Sequence, residues 1–345
     1  MTKPATILVT GGAGYIGSHT IIELVKQSPY SVISVDNYSN SSEKTFDRIE
    51  SICGKKIKNY NVDLCKPEEL KQLLEIQDII GVIHFAAFKS VPDSVADPLL
   101  YYYNNLSGLF NILRFCKEKN ISNFIFSSSC SVYGNIAELP VTEKTILPKA
   151  ESPYAHTKQI GEEVLKVFTE STSDFNSVLL RYFNPVGAHP SALNGELPLG
   201  KPSSLVPIIT QTAAGIIKQM QVHGNDYKTR DGSCIRDYIH VSDIAAAHVN
   251  ALNYLIDKKN KKSVSLFNLG TGHGITVLET IHSFEKVSKV KLNYKIGPRR
   301  SGDVAAIYAN NNLAKKELNW EPKYNLDEMM LTAWQWQMHL QNENK

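Results

Sequence analysis

The chain lacks the features that mark secreted, membrane-spanning and metal-binding proteins. It has only five cysteines in 345 residues. They are scattered, odd in number and without a C-x-x-C pair, so the sequence predicts neither a disulfide framework nor a cysteine metal site. An H-E-x-x-H motif is missing as well. No signal-like segment is found at the beginning, and no apolar run reaches the roughly 18 residues that a membrane span needs. We therefore expect a cytoplasmic protein with reduced thiols, no bound metal and no membrane contact.

Excess charge of either sign is also missing. The 37 basic and 34 acidic side chains leave a formal net charge of +3, whereas proteins that read nucleic acids usually carry a dense basic patch. The sequence therefore predicts no nucleic-acid partner. What the chain does have is length and apolar content. Its 345 residues are 42% hydrophobic, which is enough to bury a large core and favours two lobes.

A strand followed by glycines opens the chain. Residues 6–10 are apolar and β-branched, which indicates a buried strand. The turn Gly11-Gly-Ala-Gly-Tyr-Ile-Gly17 follows, and the next apolar pattern predicts a helix from Ser18 to about Lys26. Strand, glycine turn and helix form the first unit of a dinucleotide-binding fold, in which the turn and the helix N-terminus face the pyrophosphate. The spacing is G-x-x-G-x-x-G instead of G-x-G-x-x-G.

An acidic residue at the end of the second predicted strand indicates which dinucleotide binds. Residues 31–35 form that strand, and Asp36 follows it, about 20 residues past the glycines. A carboxylate at this point accepts hydrogen bonds from the adenosine ribose and repels a 2′-phosphate. The sequence therefore predicts NAD rather than NADP.

Strands and helices alternate through the first half of the chain. The patterns predict further strands at 58–62, 81–87, 124–129 and 178–183, and helices at 67–75, at 98–118 and after Ser152-Pro153. Such alternation is typical of an α/β protein with a Rossmann-type, doubly wound parallel sheet. Ligands bind such sheets at the C-terminal ends of the strands, where Asp63, Ala86 and Ser129 fall.

The second half differs in composition and predicts a smaller lobe. Residues 185–205 are rich in proline, glycine and serine, which indicates a long loop. We predict an NAD-binding Rossmann domain over 1–183, to which residues 236–265 return. A smaller mixed α/β C-terminal domain that binds substrate is predicted over 184–345. Two adjacent arginines in a predicted loop near residue 300 suit a diphosphate, because guanidinium groups form bidentate charged bonds.

Tyr154 and Lys158 are four residues apart at the start of a predicted helix, so they lie on one face of it. A protonated amine beside a phenol favours the phenolate, which lets a tyrosine act as a base well below its usual pKa of about 10. On its own this spacing is a weak signal, because the chain has 16 tyrosines. Ser129, at the end of a predicted strand, is placed to face the same nicotinamide.

Together these motifs resemble those of the extended short-chain dehydrogenase/reductase superfamily and, within it, the UDP-glucose 4-epimerase family. The resemblance rests on the glycine turn, on Ser129, on Tyr154-x-x-x-Lys158 and on segments that run nearly end to end. Those segments are Asp36-Asn37, His84-Phe-Ala-Ala87, Ser127-Ser-Ser-Cys-Ser-Val-Tyr-Gly134, Leu180-Arg-Tyr-Phe-Asn-Pro-Val-Gly-Ala-His-Pro190, Gly224-Asn-Asp-Tyr227, Arg236-Asp-Tyr-Ile-His-Val241 and Arg299-Arg-x-Gly-Asp303.

The resemblance implies an isomerase of galactose metabolism that interconverts UDP-galactose and UDP-glucose with tightly bound NAD. Tyr154 would remove the proton of the 4-hydroxyl, directly or through Ser129, while hydride passes from C4 to NAD⁺. The 4-keto sugar would then swing about its diphosphate and take the hydride back on its other face. Lys158 would hold the nicotinamide ribose and lower the tyrosine pKa, with the positive charge of the nicotinamide helping. The family habit also implies a homodimer.

The resemblance further implies which residues line the two sites. Beyond the three catalytic residues, those expected to contact NAD are Gly11, Gly12, Gly14, Tyr15, Ile16, Gly17, Asp36, Asn37, Tyr38, Ser39, Asn40, Ser41, Asp63, Leu64, Phe85, Ala86, Ala87, Phe88, Lys89, Asn104 and Phe183. Those expected to hold the UDP-hexose, besides Ser129 and Tyr154, are Lys89, Asn184, Ser204, Leu205, His223, Arg236, Arg300, Asp303 and Ile307.

Three positions on the sugar side depart from the family pattern. The family usually has two asparagines where this chain has Ser203-Ser204, and commonly a phenylalanine beside the uracil where it has His223. Ile307 occupies the position thought to gate room for an N-acetyl group, and it is neither a small cysteine nor a bulky tyrosine. The sequence therefore leaves open whether UDP-N-acetylhexosamines are accepted.

Other functions are weighed against the same residues. A 4,6-dehydratase would carry Asp-Glu directly after the catalytic serine, whereas this chain has Cys130 and Ser131 there, which argues strongly against that reaction. Epimerisation of UDP-pentoses or UDP-hexuronates differs only in pocket shape. A non-catalytic NAD(H) sensor is disfavoured, because Ser129, Tyr154 and Lys158 are all intact.

Overall fold

A parallel sheet whose strands are separated in sequence by helices organises the molecule. The computed structural model describes residues 4–300 and 303–343. The strands in these residues are β1 (Thr6–Thr10), β2 (Ser31–Val35), β3 (Lys58–Tyr60), β4 (Ile79–His84), β5 (Asn123–Ser129), β6 (Asn176–Tyr182), β7 (Asn184–Val186), β8 (Met220–His223), β9 (Ile235–Arg236), β10 (Tyr238–His240), β11 (Val264–Leu269), β12 (Ile275–Thr276) and β13 (Tyr294–Gly297). The α-helices are α1 (Tyr15–Gln27), α2 (Lys44–Cys53), α3 (Val91–Ala96), α4 (Pro98–Glu118), α5 (Pro153–Ser171), α6 (Leu205–Ala213), α7 (Val241–Ile256), α8 (Val277–Ser288), α9 (Asn312–Leu318) and α10 (Leu326–Glu343).

Seven strands form one sheet in the order β11-β6-β5-β4-β1-β2-β3, and every neighbouring pair is parallel. The predicted doubly wound sheet is therefore confirmed. Both faces are buried, as in other parallel sheets: one core cluster includes Ile21 of α1 and Leu252 of α7, and the other includes Leu109 of α4 and Leu165 of α5. Strand order reverses at β1, between β2 and β4, so a ligand crevice opens at the carboxyl ends of these strands.

Two predicted helices differ from the observed ones. The helix predicted over 67–75 is wrong. A 3₁₀ turn forms instead at Glu69–Leu73, with Leu70 and Leu73 buried. The first helix begins at Tyr15, ahead of the predicted Ser18, because the extended backbone of Gly14 caps it. Strands β3 and β4 also end sooner than predicted, and irregular backbone follows them at the carboxyl edge of the sheet.

A second lobe begins where the chain leaves β6. Strand β7 pairs with β10, β8 with β13 and β9 with β12, and α6, α8 and α10 contribute to a separate core that includes Val186, Met220, Phe284 and Met330. In between, the chain returns to the first lobe, since α7 packs on α1 and β11 pairs with β6 at the edge of the large sheet. The two lobes are therefore interleaved in sequence.

One face of α1 contacts the loop that follows β7. Tyr15 Oη donates to the carbonyl of Gly187 at 2.6 Å, and Lys26 Nζ donates to His189 Nε2 at 2.9 Å. His19 lies between these two contacts along the helix, with its ring centre 6.5 Å from that of His189. The helix that begins at the glycine turn is therefore joined directly to the second lobe.

Acid is expected to weaken this junction. Burial lowers the pKa of His19 to about 3, that of His189 to about 4 and that of His240 to about 3. In the unfolded chain a histidine has a pKa of about 6.5, so below that pH the unfolded state binds protons that the folded state does not. The stabilising contribution of these side chains is complete above about pH 6.5 and is lost as the pH falls toward 4.

Urea unfolding at about pH 7.5 and about pH 5.5 measures this effect. The midpoint should be lower at the acidic pH, and replacing His189 with asparagine should reduce the difference. Equal midpoints at the two pH values would contradict the expectation.

Candidate active site

The glycine turn lies at the carboxyl end of β1 and approaches β4 closely. Gly11 has a φ of 72°, and a Cβ on it would lie 2.8 Å from the backbone nitrogen of Ala86. A Cβ on Gly17 would collide with the carbonyl of Gly11. No side chain caps α1, and its first turn carries no acidic residue, so the N–H groups and the positive dipole end there suit an anion. These residues fit the pyrophosphate of a dinucleotide.

Replacing Gly11 with alanine is expected to release the cofactor. The methyl group would press on the backbone of Ala86, and the left-handed conformation costs a non-glycine residue about 1–2 kcal/mol. Gly54→Ala is the matched control, because Gly54 has a φ of 64° but nothing within 4 Å of its Cβ. NAD content of the purified variants measures the effect. We expect Gly54→Ala to keep its NAD and Gly11→Ala to lose most of it, and equal contents would contradict the role of the turn.

Asp36 follows β2 and joins two segments of the predicted cofactor site. Its Oδ2 accepts a hydrogen bond from Ala13 N at 2.9 Å, and its Oδ1 accepts from Tyr38 N at 2.9 Å and from Ser41 Oγ at 2.8 Å. The carboxylate thus fixes the glycine turn to the segment 37–41. A carboxylate has about four acceptor positions, so one remains for a ribose hydroxyl.

The adjoining predicted contacts lie along the same edge of the sheet. Asn37 Oδ1 accepts from Ser39 N at 3.0 Å, and Asn40 is exposed. Asp63 follows β3, where its Oδ1 accepts from the backbone of the next turn, and Leu64 is buried. A polar rim with one apolar side chain is suited to an adenosine.

Asn105, which the sequence reasoning did not assign, holds the segment 85–89 after β4. Its Oδ1 accepts from Phe88 N at 2.8 Å, and its Nδ2 donates to Phe88 O at 3.1 Å and to Thr157 Oγ1 at 3.1 Å. Asn104 donates in turn to the Asn105 amide oxygen at 3.0 Å. The cofactor segment is thereby tied to α5. Two adjacent asparagines in a long apolar helix were the available signal.

Ser129, Tyr154 and Lys158 meet at the carboxyl end of β5. Ser152 caps α5 and places Tyr154 in its first turn. The Ser129 hydroxyl hydrogen-bonds the Tyr154 phenol, and Lys158 Nζ lies 6.0 Å from the centre of the phenol ring. Nζ donates to the carbonyl of Ser127 at 2.7 Å. All three side chains are less than a tenth exposed, so the structure brings them together in a dry environment.

In the protein alone, burial has the largest effect on the pKa values of Tyr154 and Lys158. It raises the pKa of the Tyr154 phenol, the nearby Tyr182 adds to the increase, and the hydrogen bond from Ser129 opposes it. Burial also lowers the pKa of Lys158 to about 8, against the effect of the Glu162 carboxylate. In the protein alone, burial dominates the pKa of Tyr154, and the Lys158 amine faces a carbonyl. The lower tyrosine pKa expected from Lys158 together with the nicotinamide stays a prediction. A phenolate near neutral pH requires a further positive charge, which a bound nicotinamide would supply.

A buried ion pair between Arg181 and Glu162 lies next to the catalytic side chains. Arg181 Nη2 lies 2.5 Å from Glu162 Oε2, and Ser128 Oγ donates to the same carboxylate at 2.6 Å. Arg181 Nη1 also donates to Tyr133 Oη at 3.1 Å. Glu162 is one turn beyond Lys158 on α5, so the pair borders the lysine. The sequence reasoning missed both residues, although a lone arginine inside an apolar strand was a signal for a buried partner.

Charged side chains converge on the second-lobe side of the site. Arg236 Nη1 donates to the carbonyl of Val304 at 2.7 Å, and its Nη2 lies 3.4 Å from Asp303 Oδ1. Arg300 pairs with the same carboxylate at 2.8 Å. Asn184 Oδ1 is buried and finds no hydrogen-bond partner within the described residues. An unsatisfied buried acceptor suits a ligand that donates a hydrogen bond.

Arg299 does not share this cluster with Arg300. It pairs with Asp226 at 2.8 Å, and its guanidinium lies 4.2 Å from the ring centre of Tyr227. The expected pair of guanidinium groups facing one diphosphate is therefore not formed. Residues 301–302, which belong to the motif quoted above, lie outside the described residues.

Ile307 and Phe183 share a small buried apolar cluster with Val132 and Tyr133. Ile307 was assigned to the sugar and Phe183 to the cofactor, so the two predicted sets of residues meet here. The isoleucine is 5% exposed, and its branched side chain limits the room beside it.

Ser204 and His223 lie at the ends of elements in the second lobe. Ser204 is the N-cap of α6, whose first residue is Leu205, and its Oγ lies 3.4 Å from Glu196 Oε1. His223 ends β8, where Gln221 Nε2 lies 3.2 Å from its Nδ1. Across residues 4–300 and 303–343, no hydrogen bond links His223 to another predicted site residue.

The sequence predicts neither a metal site nor a membrane-spanning helix. Within the described part of the chain, no group of three or more histidine, cysteine or acidic side chains could hold a metal ion. None of the helices described there is long and apolar enough to cross a bilayer.

Known proteins resemble this chain along nearly its whole length. Residues 8–332 match the family model described as GDP-mannose 4,6 dehydratase. The UDP-glucose 4-epimerase of Bacillus subtilis is 45% identical over 331 residues, which cover 96% of each protein. That of Pasteurella multocida is 44% identical over 331 residues, 96% of this chain and 97% of the relative. The crystal structure of UDP-glucose 4-epimerase from Bifidobacterium longum, in complex with NAD⁺ and UDP, is 45% identical with a TM-score of 0.93, covering 98% of this chain and 99% of that one.

Fold and site define the class of protein. The chain is an NAD-dependent isomerase of the extended short-chain dehydrogenase/reductase superfamily. The sequence identity to these relatives, over nearly the whole chain, also identifies the family. The chain belongs to the UDP-glucose 4-epimerase family.

Proposed function

We propose that this chain interconverts UDP-galactose and UDP-glucose by inverting C4 of the hexose. The meeting of Ser129, Tyr154 and Lys158 in one buried place supports this most strongly, in a chain whose family carries out this reaction. Bound NAD would supply the acceptor and donor of hydride. The protein's own side chains would transfer the proton of the 4-hydroxyl and orient the reacting groups.

Tyr154 serves as both base and acid. Its phenolate takes the proton of the 4-hydroxyl as hydride leaves C4, which yields a 4-keto sugar. After the sugar turns, the phenol returns the proton to the 4-oxygen as hydride arrives on the opposite face. Ser129, hydrogen-bonded to the phenol, aligns the two oxygens, and Lys158 orients the nicotinamide ribose. Over one cycle, the proton and the hydride that leave the sugar are both returned to it.

The uridine diphosphate stays anchored while the hexose turns. We assign its anchoring to Arg236 and Arg300, whose guanidinium groups both reach Asp303, and to Asn184 with its free acceptor. The glycine turn and Asp36 hold NAD on the other side of the crevice. We further propose that the boundary between the cofactor and substrate domains lies after residue 183.

Cys130 and Ser131 distinguish this reaction from a dehydration. They lie in the 3₁₀ turn Cys130–Tyr133, directly after Ser129. Burial raises the pKa of the Cys130 thiol to about 12, and a serine hydroxyl does not ionise in this range. Neither side chain supplies the second acid–base pair that loss of water would require.

The direct test incubates purified protein separately with UDP-galactose, UDP-N-acetylgalactosamine, UDP-xylose and UDP-glucuronate and resolves the products by chromatography. We expect UDP-glucose from UDP-galactose without added NAD, and slower conversion of the N-acetyl sugar because Ile307 is buried beside the site. Inertness toward all four would refute epimerisation. Conversion of a different sugar alone would move the proposal to that substrate, and a requirement for added NAD would contradict tight retention.

We also propose a homodimer that works in the cytoplasm. Leu99, Tyr103 and Phe110 expose apolar area along α4, and Val95 of α3 and Val167 of α5 add to it. These three helices contact one another, and exposed apolar side chains grouped in this way are typical of a protein–protein interface. Sedimentation is expected to give twice the 38.5 kDa of one chain, and the mass of a single chain would contradict the dimer. All five cysteines are free, as is usual in a reducing compartment.

A further inference from the structure

One ion pair joins the cofactor lobe to the substrate lobe beside the glycine turn. Lys89 Nζ lies 2.8 Å from Glu196 Oε1. Lys89 belongs to the segment after β4, whereas Glu196 belongs to the loop between β7 and α6. The glutamate side chain is 14% exposed and the lysine side chain 51%. A long, half-exposed lysine samples many rotamers unless a partner holds it, so the carboxylate decides where the ammonium lies.

The backbone at Glu196 is fixed from two sides. A bridge pairs Ala188 with Gly195, and the indole of Trp336 packs so closely on Gly195 that a Cβ there would lie 2.5 Å from the ring. Trp336 Nε1 then donates to the carbonyl of Glu196 at 2.9 Å. The carboxylate is therefore presented from a rigid point of the second lobe.

The backbone before Lys89 is fixed as well. Asn105 holds both the N–H and the carbonyl of Phe88. The ammonium lies 5.8 Å from the ring centre of Tyr15, which is the first residue of α1. A cation held at the start of the helix that follows the glycine turn is well placed to bind the diphosphate of a dinucleotide.

We propose that Glu196 is a positioning residue that holds the Lys89 ammonium at the diphosphate end of the cofactor site. Ser204 Oγ lies 3.4 Å from the same carboxylate oxygen. Glu196 therefore also connects the ammonium to the start of α6, where Leu205 is a predicted substrate residue. The inference rests on the proposed function. Glu196 takes no part in proton transfer, so its loss weakens the binding of NAD and of UDP-sugar and leaves the chemical step intact.

Glu196→Gln tests this, because it removes the charge and keeps the size. We expect NAD retained after exhaustive dialysis to fall by about fivefold and the KM for UDP-galactose to rise by about fivefold, with kcat at saturating NAD within about twofold of wild type. Glu317→Gln is the matched control. Glu317 pairs with Lys261 at 3.0 Å and is 17% exposed, but it lies outside the site, and both quantities should stay at the wild-type value.

Three results would overturn the proposal. The first is a Glu196→Gln variant that matches Glu317→Gln in NAD retention, and the second is one that loses kcat at unchanged KM. The third is full additivity with Lys89→Met, because a residue that acts through Lys89 has little further effect once the ammonium is gone. Retention of NAD is measured without sugar. An inert wild-type protein whose NAD retention still depends on Glu196 would refute the epimerase function and leave this inference standing.

Discussion

Replacing Tyr154 with phenylalanine is expected to lower kcat for UDP-galactose by about 10²–10⁴-fold, the usual contribution of a positioned acid–base group. The change deletes only the oxygen that exchanges the proton with the 4-hydroxyl. The ring keeps its place, since it is 8% exposed and packed at the start of α5. Bound NAD and the free energy of unfolding should therefore stay close to the wild-type values.

Steady-state kinetics, NAD content and thermal unfolding together check this expectation. Tyr254→Phe is the control, because Tyr254 is another buried tyrosine, 5% exposed, that belongs to the core between α7 and the sheet. It should leave kcat unchanged. If Tyr154→Phe kept kcat within tenfold of wild type, the proton would have to leave by another group, and the proposed mechanism would fail.

Replacing Glu162 with glutamine is expected to have the largest effect on stability. The Arg181 side chain is 3% exposed and the Glu162 side chain 1% exposed, so removal of the carboxylate leaves a guanidinium buried without its counter-charge. Breaking a buried pair in this way costs about 3–5 kcal/mol. Lys158 would also lose the nearby charge that raises its pKa, and the pH dependence of kcat would shift accordingly.

Urea unfolding measures the loss, with Glu321→Gln as the control. Glu321 pairs with Lys315 at 2.7 Å, but both side chains are about 60% exposed, and such surface pairs contribute about 0–1 kcal/mol. The combined variant Glu162→Leu, Arg181→Met should recover part of the stability, because it removes both charges at once. A Glu162→Gln protein as stable as Glu321→Gln would show that water or another group solvates Arg181.

The parts of the site that could be predicted from sequence are those held in one continuous segment. The glycine turn is dictated by backbone contacts that only glycine fits, and Tyr154 is placed by the cap at Ser152, so local chemistry decides both. Asn105, Glu162 and Arg181 were missed because their partners are brought together only by folding. The burial that raises the pKa of Tyr154 in the protein alone could not be predicted for the same reason, since it cannot be read from a spacing of four residues.

The sheet was predictable because alternating strands and helices have few other solutions. The turn at Glu69–Leu73 was not, since two apolar residues three positions apart suit an α-helix and a 3₁₀ turn equally well. On the sugar side, Arg299 shows that residues adjacent in sequence need not belong to the same site. Its neighbour Arg300 pairs with Asp303, yet Arg299 turns toward Tyr227.

The return of the chain to the large sheet through β11 means that one cut cannot separate the lobes. A fragment ending after β6 would lack β11, which pairs with β6, and α7, which packs on α1. The seven residues of β6 would become an open edge, and open edges recruit other chains. A nick in the loop 185–205 would leave two pieces that still interlock. Genetic dissection into a cofactor module and a sugar module would therefore need a rejoined chain, in which residues 241–269, which contain α7 and β11, are carried with the first 183.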